Sequence, residues 1–275
     1  MMRNIYNAIG FRIRKALRFR RPGMVLPNEA KKNLFEYASG DRRLALSARE
    51  EELRKVYKLD PLFHASSRYI YRDNLYWLEG LERCFDGVTL AKSAEFKIVD
   101  VGSNNFHYAF ALARFFETAT AAQHLDMCGY EIDGHVVYAD LHSRADYAAA
   151  YLAQIRRGRY VVADFGLSTE SGADVATMFF PFLTKDALLW WGLPIDCFSP
   201  QALLLRAIAC VKPGGFLVVW NQTDEEADQL DGLVSGARLV NRVRLKSDIV
   251  DYGEATADRV GSVFRMPFPE GSQRG

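Results

Sequence analysis

From residue 96 onward, short apolar runs alternate with longer stretches of helical spacing. Phe96-Lys97-Ile98-Val99-Asp100-Val101 reads as a strand, broken by Gly102-Ser103-Asn104-Asn105, and residues 106–117 continue as a helix. Met127 to Ile132 is a second strand, residues 140–156 an alanine-rich helix, and Tyr160 to Asp164 a third strand. Asp174 to Phe180 is the fourth. A helix over Pro200–Cys210, stopped by Lys212-Pro213-Gly214-Gly215, leads to the fifth strand, Phe216 to Trp220. Residues 224–235 are helical, and Arg238–Leu245 with Arg259–Arg265 add two extended segments. Strands separated by helices pair in parallel, because the crossovers cover both faces of the sheet. Residues 96–275 are therefore expected to form a doubly wound α/β domain on a mostly parallel, seven-stranded sheet.

The first 95 residues follow a different rhythm. Residues 28–90 read as helical throughout, with Ser47 and Glu50 at capping-box spacing and Leu75, Leu78 and Leu81 at helical spacing within Tyr71–Phe85. Residues 23–95 are expected to be a helical cap, and no internal repeat is present. Ahead of it, Ile5, Ile9, Ile13 and Leu17 recur every fourth residue, while Arg14, Arg18 and Arg21 take another face. This predicts a basic amphipathic helix over residues 1–22, ended by Pro22-Gly23.

Composition adds two constraints. With 49% hydrophobic and 25% charged residues the chain has globular composition, and its apolar runs fall short of the ~20 residues of a membrane span. Cys84, Cys128, Cys197 and Cys210 lie too far apart for ligand pairs, so no metal site is expected, and buried reduced thiols suit a cytoplasmic protein. Charge is uneven. Residues 1–60 hold 15 Lys and Arg against 7 Asp and Glu, a net +8 in a chain of net +1, and no acid precedes Glu29. Residues 1–21 are thus candidates for peripheral contact with an anionic membrane surface. The same pattern fits an organelle transit peptide, or a helix that packs on its own domain or on a partner subunit in a homo-oligomer.

Parallel sheets bind ligands at the carboxyl ends of their strands, where strand order reverses. Gly102 permits a tight first turn, and Ser103 and Asn104 tolerate unusual dihedrals. Asp100 can orient that turn. Glu131, ending the second strand, is placed to accept from two ribose hydroxyls, and Asp164, ending the third, from an adenine amino group, with Phe165 against the ring. Three acids at three successive strand ends point to a nucleoside ligand.

These residues resemble the class I S-adenosylmethionine-dependent methyltransferases, whose fold is Rossmann-like. The resemblance covers roughly residues 96–266. It rests on Ile98-Val99-Asp100-Val101-Gly102-Ser103-Asn104, Tyr130-Glu131, Val162-Ala163-Asp164-Phe165 and Val211-Lys212-Pro213-Gly214-Gly215-Phe216. It implies S-adenosyl-L-methionine as cofactor, with Asp100, Gly102, Ser103 and Asn104 at its methionine part, Glu131 at its ribose, and Asp164 and Phe165 at its adenine. Phe180, ending the fourth strand, joins the cofactor set. The turn carries one glycine where the family has two or three, and 29 residues separate Gly102 from Glu131. An inserted loop at Thr118–Gln123 accounts for that length, with Asp126 as the alternative ribose acid.

A nicotinamide-dependent oxidoreductase would share the fold but wants G-x-G-x-x-G, and positions 104 and 107 are Asn and His. A non-catalytic binding protein on the same fold is the second alternative. Phe179-Phe180-Pro181-Phe182 and Trp190-Trp191 belong to the acceptor side, and they do not form the Asn/Asp-Pro-Pro-aromatic motif of amino-directed nucleic-acid enzymes. No nucleic acid is expected as partner; a small-molecule or glycan acceptor, free or lipid-linked, is. His107 and Asn221 are the candidate catalytic residues, as base and as acceptor-orienting amide.

Overall fold

The computed structural model describes residues 2–32, 34–250 and 258–268. Its centre is β1 (Glu95–Val101), whose residues from Phe96 onward are buried except Lys97. It pairs in parallel with β2 (His124–Glu131) on one side and β4 (Ala173–Phe179) on the other. Beyond β2 lies β3 (Gly158–Val162), and beyond β4 lies β5 (Val211–Asn221), both parallel. Antiparallel β7 (Val260–Arg265) then joins β5 to the edge strand β6 (Arg238–Arg244). The order β3-β2-β1-β4-β5-β7-β6 makes the expected seven-stranded sheet and reverses direction between β1 and β4. Four helices cover the crossovers: α5 (Ala109–Thr120), α6 (Arg144–Leu152), α8 (Pro200–Cys210) and α9 (Asp224–Leu233).

Local chemistry sets several boundaries. α6 starts in a capping box, in which Ser143 Oγ accepts from the Asp146 amide and Asp146 Oδ2 from the Ser143 amide. α9 opens on Thr223 followed by Asp224, Glu225 and Glu226, negative charge where the helix dipole favours it. The expected insertion at Thr118–Gln123 is instead the end of α5. The helix stops at Ala121 in the left-handed conformation, and β2 starts at His124, so longer elements account for the spacing. Asp126 sits exposed in the first half of β2, far from its carboxyl end, and is not a ribose acid.

The segment expected to be helical from 28 to 90 is helical only from residue 40. It forms α2 (Gly40–Val56), the single turn α3 (Asp60–His64) and α4 (Arg68–Cys84). Ser47 and Glu50 lie inside α2, whose N-cap is Ser39, so they form no capping box. Glu50 is buried and accepts a hydrogen bond from the Tyr71 hydroxyl. α4 is the important helix. Ser67 caps it, and its apolar side merges with the sheet core, where Tyr71, Leu75, Leu78 and Leu81 pack in one cluster with Ile98, Phe116 and Val218. Asn74 locks it to the first crossover, donating to the His107 carbonyl at 3.0 Å and accepting from the Ala111 amide at 3.0 Å.

The N-terminal helix α1 (Met2–Leu17) ends before Pro22-Gly23, at a left-handed Arg18. It packs on its own domain through its polar side. Asn7 donates to the carbonyls of Leu189 and Leu193 at 2.9 Å each, and Asn4 accepts from the Ile195 amide at 2.8 Å. Arg14 grips Asp133 with two guanidinium nitrogens at 2.9 and 2.5 Å. Between them Phe11 is buried against Leu188 and Leu193 of the segment that begins with α7 (Lys185–Trp191). Further on, Arg20 and the Arg21 amide bind Asp146 at 2.6 and 2.9 Å. Burial would raise the Asp146 carboxyl, but Ser143 and these two donors outweigh it and hold it at about 2. Among the described residues no single helix is long and apolar enough to cross a membrane.

Candidate active site

At the carboxyl ends of β1, β2 and β4 the strand reversal opens into a cavity of about 450 Å³. Its inner wall is the turn after β1. Gly102 has φ +80°, and nothing lies within 4 Å of where a Cβ would stand, so its side-chain position faces open space. Asn104 and Phe106 follow at φ 50° and 58°, both uncommon for residues with side chains. The turn is held from beneath. The Gly102 and Ser103 amides bond to the Tyr130 carbonyl at 2.8 and 3.0 Å, and Ser103 Oγ donates to the Asp100 carbonyl. Gly129 on β2 is required here: a Cβ would stand 2.6 Å from the Phe106 ring and 2.7 Å from Ser103 Oγ.

Two members of the expected cofactor set do not reach the cavity. Ser103 is fully buried under the turn. Asp100 is also fully buried, accepting from Tyr108 Oη at 2.8 Å and Thr177 Oγ1 at 2.5 Å. Burial pushes its carboxyl up to about 6 although these donors favour the anion. Both side chains brace the turn from beneath.

Glu131 does line the cavity. Its Oε2 accepts from the Asn104 amide and its Oε1 from the Asp133 amide, both at 2.9 Å, with Arg144 Nη1 at 3.8 Å. Burial raises this carboxyl, opposed by Arg144 and the two backbone donors. Each oxygen keeps acceptor capacity, since a carboxylate offers about four lone-pair sites. Asp164 and Phe165 stand beside it; Asp164 Oδ1 accepts from the Gly166 amide at 2.8 Å, and the buried Phe165 ring meets Tyr130 edge-on at 5.1 Å.

The outer wall comes from α4, the end of β4 and the start of β7. Trp77 stacks flat on Trp220 at 4.5 Å and on Tyr108 at 4.3 Å, with Phe179 at 4.7 Å. Phe180 lines the cavity beside them in a left-handed conformation, φ 57°, a strained geometry of the kind that collects at binding sites. Arg259 lies 4.7 Å over the Phe180 ring and donates to Tyr76 Oη at 3.1 Å and Gln222 Oε1 at 3.3 Å. Among the described residues no carboxylate lies within ion-pair distance of it.

Of the two candidate catalytic residues, His107 lines the cavity and Asn221 does not. The Asn221 side chain is fully buried at the end of β5, and its neighbour Gln222 faces the cavity in its place. His107 Nε2 lies 2.9 Å from Asp73 Oδ2, and Nδ1 lies 2.7 Å from Asn105 Oδ1. Asp73 Oδ2 also accepts from Trp77 Nε1 at 3.0 Å. Cys197 is at the rim, its thiol pushed by burial up to about 11, too weak an acid to serve as a thiolate. Asp73, Trp77, Tyr108 and Arg259 escaped the sequence reading. Apolar spacing in α4 marked the helix but not which of its polar residues would face a ligand.

No family model matches the sequence, and no curated protein matches it. Solved structures do match in fold. A putative class I S-adenosylmethionine-dependent methyltransferase from Listeria monocytogenes superposes with a TM-score of 0.50 at 13% identity, covering 88% of this chain and 80% of its own. The N-methyltransferase NodS from Bradyrhizobium japonicum, solved with S-adenosyl-L-homocysteine, gives a TM-score of 0.45 at 13% identity, covering 83% of this chain and 100% of its own. The architecture is that of the class I methyltransferase fold.

Proposed function

We propose that this protein is an S-adenosylmethionine-dependent methyltransferase acting on a small-molecule acceptor, free or carried on a glycan or lipid. The observation that carries this reading is the pairing of an open left-handed Gly102 with a buried Glu131 clamped by the Asn104 amide. That pair offers backbone for close approach and a fixed acceptor for a vicinal diol. Gly102 and Asn104 would face the methionine part, Glu131 the ribose hydroxyls, and Asp164 and Phe165 the adenine. Asp100 and Ser103 keep the turn in shape from below. When bound, the cofactor supplies an electrophilic sulfonium methyl.

The chain's contribution is alignment and proton management. The Trp77, Phe180 and Tyr76 surfaces would hold an apolar acceptor body and exclude water. Arg259, without a carboxylate partner among the described residues, suits an anionic group on the acceptor. His107 backed by Asp73 is the pair that can take a proton from an acceptor hydroxyl or amine. Gln222, which lines the cavity, would orient the acceptor in place of the buried Asn221.

Isothermal titration with S-adenosylmethionine, S-adenosylhomocysteine and NADH tests the reading. The first two should bind. Binding of NADH alone would point to the oxidoreductase alternative, and binding of none to a non-catalytic protein. Gly102→Val should remove cofactor binding, since a branched side chain would project into the open space and resist φ +80°. A folded valine variant with normal affinity would take Gly102 out of the site.

A further inference from the structure

The side chains of α1 are distributed the wrong way round for a helix that merely covers its own domain. Asn4, Asn7, Phe11 and Arg14 share the inward face, and three of these four are polar. Ile5, Ile9, Ile13 and Leu17 share the outward face, 49%, 53%, 51% and 73% exposed, with Met2 and Tyr6 also open. A soluble helix normally buries its apolar stripe. Here hydrogen bonds and the Arg14–Asp133 pair hold the helix in place, and they leave a continuous apolar row on the surface. Trp190, 74% exposed, extends the patch, with the Arg3 guanidinium 3.4 Å over its ring.

Charge selects the occupant. Arg12 and Lys15 flank the row and Arg18 and Arg21 follow it; none of the four forms an ion pair among the described residues, and no acid precedes Glu29. A second copy would bring the same uncompensated cations against these. We infer that α1 is a preset membrane-docking surface, which inserts its isoleucine row and Trp190 into the interface of an anionic bilayer while its cations meet lipid phosphates. The docking face needs no folding on binding, because its polar side is already fixed to the domain. This goes beyond methyl transfer and does not depend on it. It also sets the cavity one short helix from lipid, since Trp190 and the cavity-lining Trp191 are both in α7.

The full chain should sediment with vesicles of phosphatidylcholine and phosphatidylglycerol at low salt, and much less with phosphatidylcholine alone. Salt near about 1 M, where screening shortens charge reach to about 3 Å, should release it. Ile9→Glu with Ile13→Glu should cut partitioning at least about tenfold. Both side chains are exposed, so circular dichroism and the thermal midpoint should not change. No partitioning of the wild type at low salt, or equal partitioning of the double variant, overturns the inference. So does a dimer, seen by sedimentation velocity, that the same substitutions dissociate, because a second copy would then own the face.

Discussion

Between Gly102 and Glu131 the cavity is walled by backbone; between Asp73 and Arg259 it is walled by side chains. The inner half uses a turn, three positive φ angles and two amides aimed at a carboxylate, all between Gly102 and Asp133. The outer half draws on α4, the end of β4 and the residues beside β5 and β7, and it presents aromatic rings together with Arg259, Gln222 and the Asp73–His107 pair. A backbone-built wall recognises what every ligand of this architecture shares. A wall of side chains varies with the residues that build it, so on the proposed reading acceptor identity would be set there.

The halves should separate under substitution. Trp77→Ala empties the centre of the aromatic stack and should cost about 3–5 kcal/mol of stability by denaturant unfolding, the usual range for a buried tryptophan. A loss under 1 kcal/mol would show the stack to be a loose platform. Glu131→Ala should weaken S-adenosylhomocysteine by roughly 1.5–3 kcal/mol in titration, the range for bonds to a charged acceptor. Unchanged affinity would move the nucleoside site elsewhere.

The brace beneath the turn has its own signature. Asp100 titrates at about 6 in the fold against about 3.9 in an unfolded chain. A raised carboxyl contributes most below the unfolded value, and that contribution is lost as pH rises through 6. Asp100→Asn should therefore gain stability relative to wild type between pH 4 and 7, by up to about 2 kcal/mol. A difference independent of pH would place the carboxyl in the ordinary range. The smallest effect is expected across the cavity, where Arg259→Gln should leave S-adenosylhomocysteine affinity within about twofold. A larger change would erase the division between the halves.

The same division decides what could be read in advance. Strand ends and their acids were legible, because a buried strand followed by glycine and a polar turn is a local pattern. Asp100 and Glu131 look alike in sequence, however, and only packing tells that Tyr108 and Thr177 bury the first while the second lines the cavity. Asn221 is the last residue of β5 and Gln222 the first beyond it, and only the fold shows that the first side chain is buried while the second lines the cavity. Ser47 and Glu50 matched a capping box by spacing, yet Glu50 is needed by Tyr71, 21 residues away. The outer wall gathers residues from 69 to 259, and no local window contains it.

The docking of α1 also has a consequence for biosynthesis. Asn7 is bound by the carbonyls of residues 182 and 186 positions later. At the usual ~5–20 residues per second, a ribosome needs roughly 10–40 s to make that stretch. This helix thus waits for its seat after it is made, and throughout that interval its inward face lacks the carbonyls that will hold it.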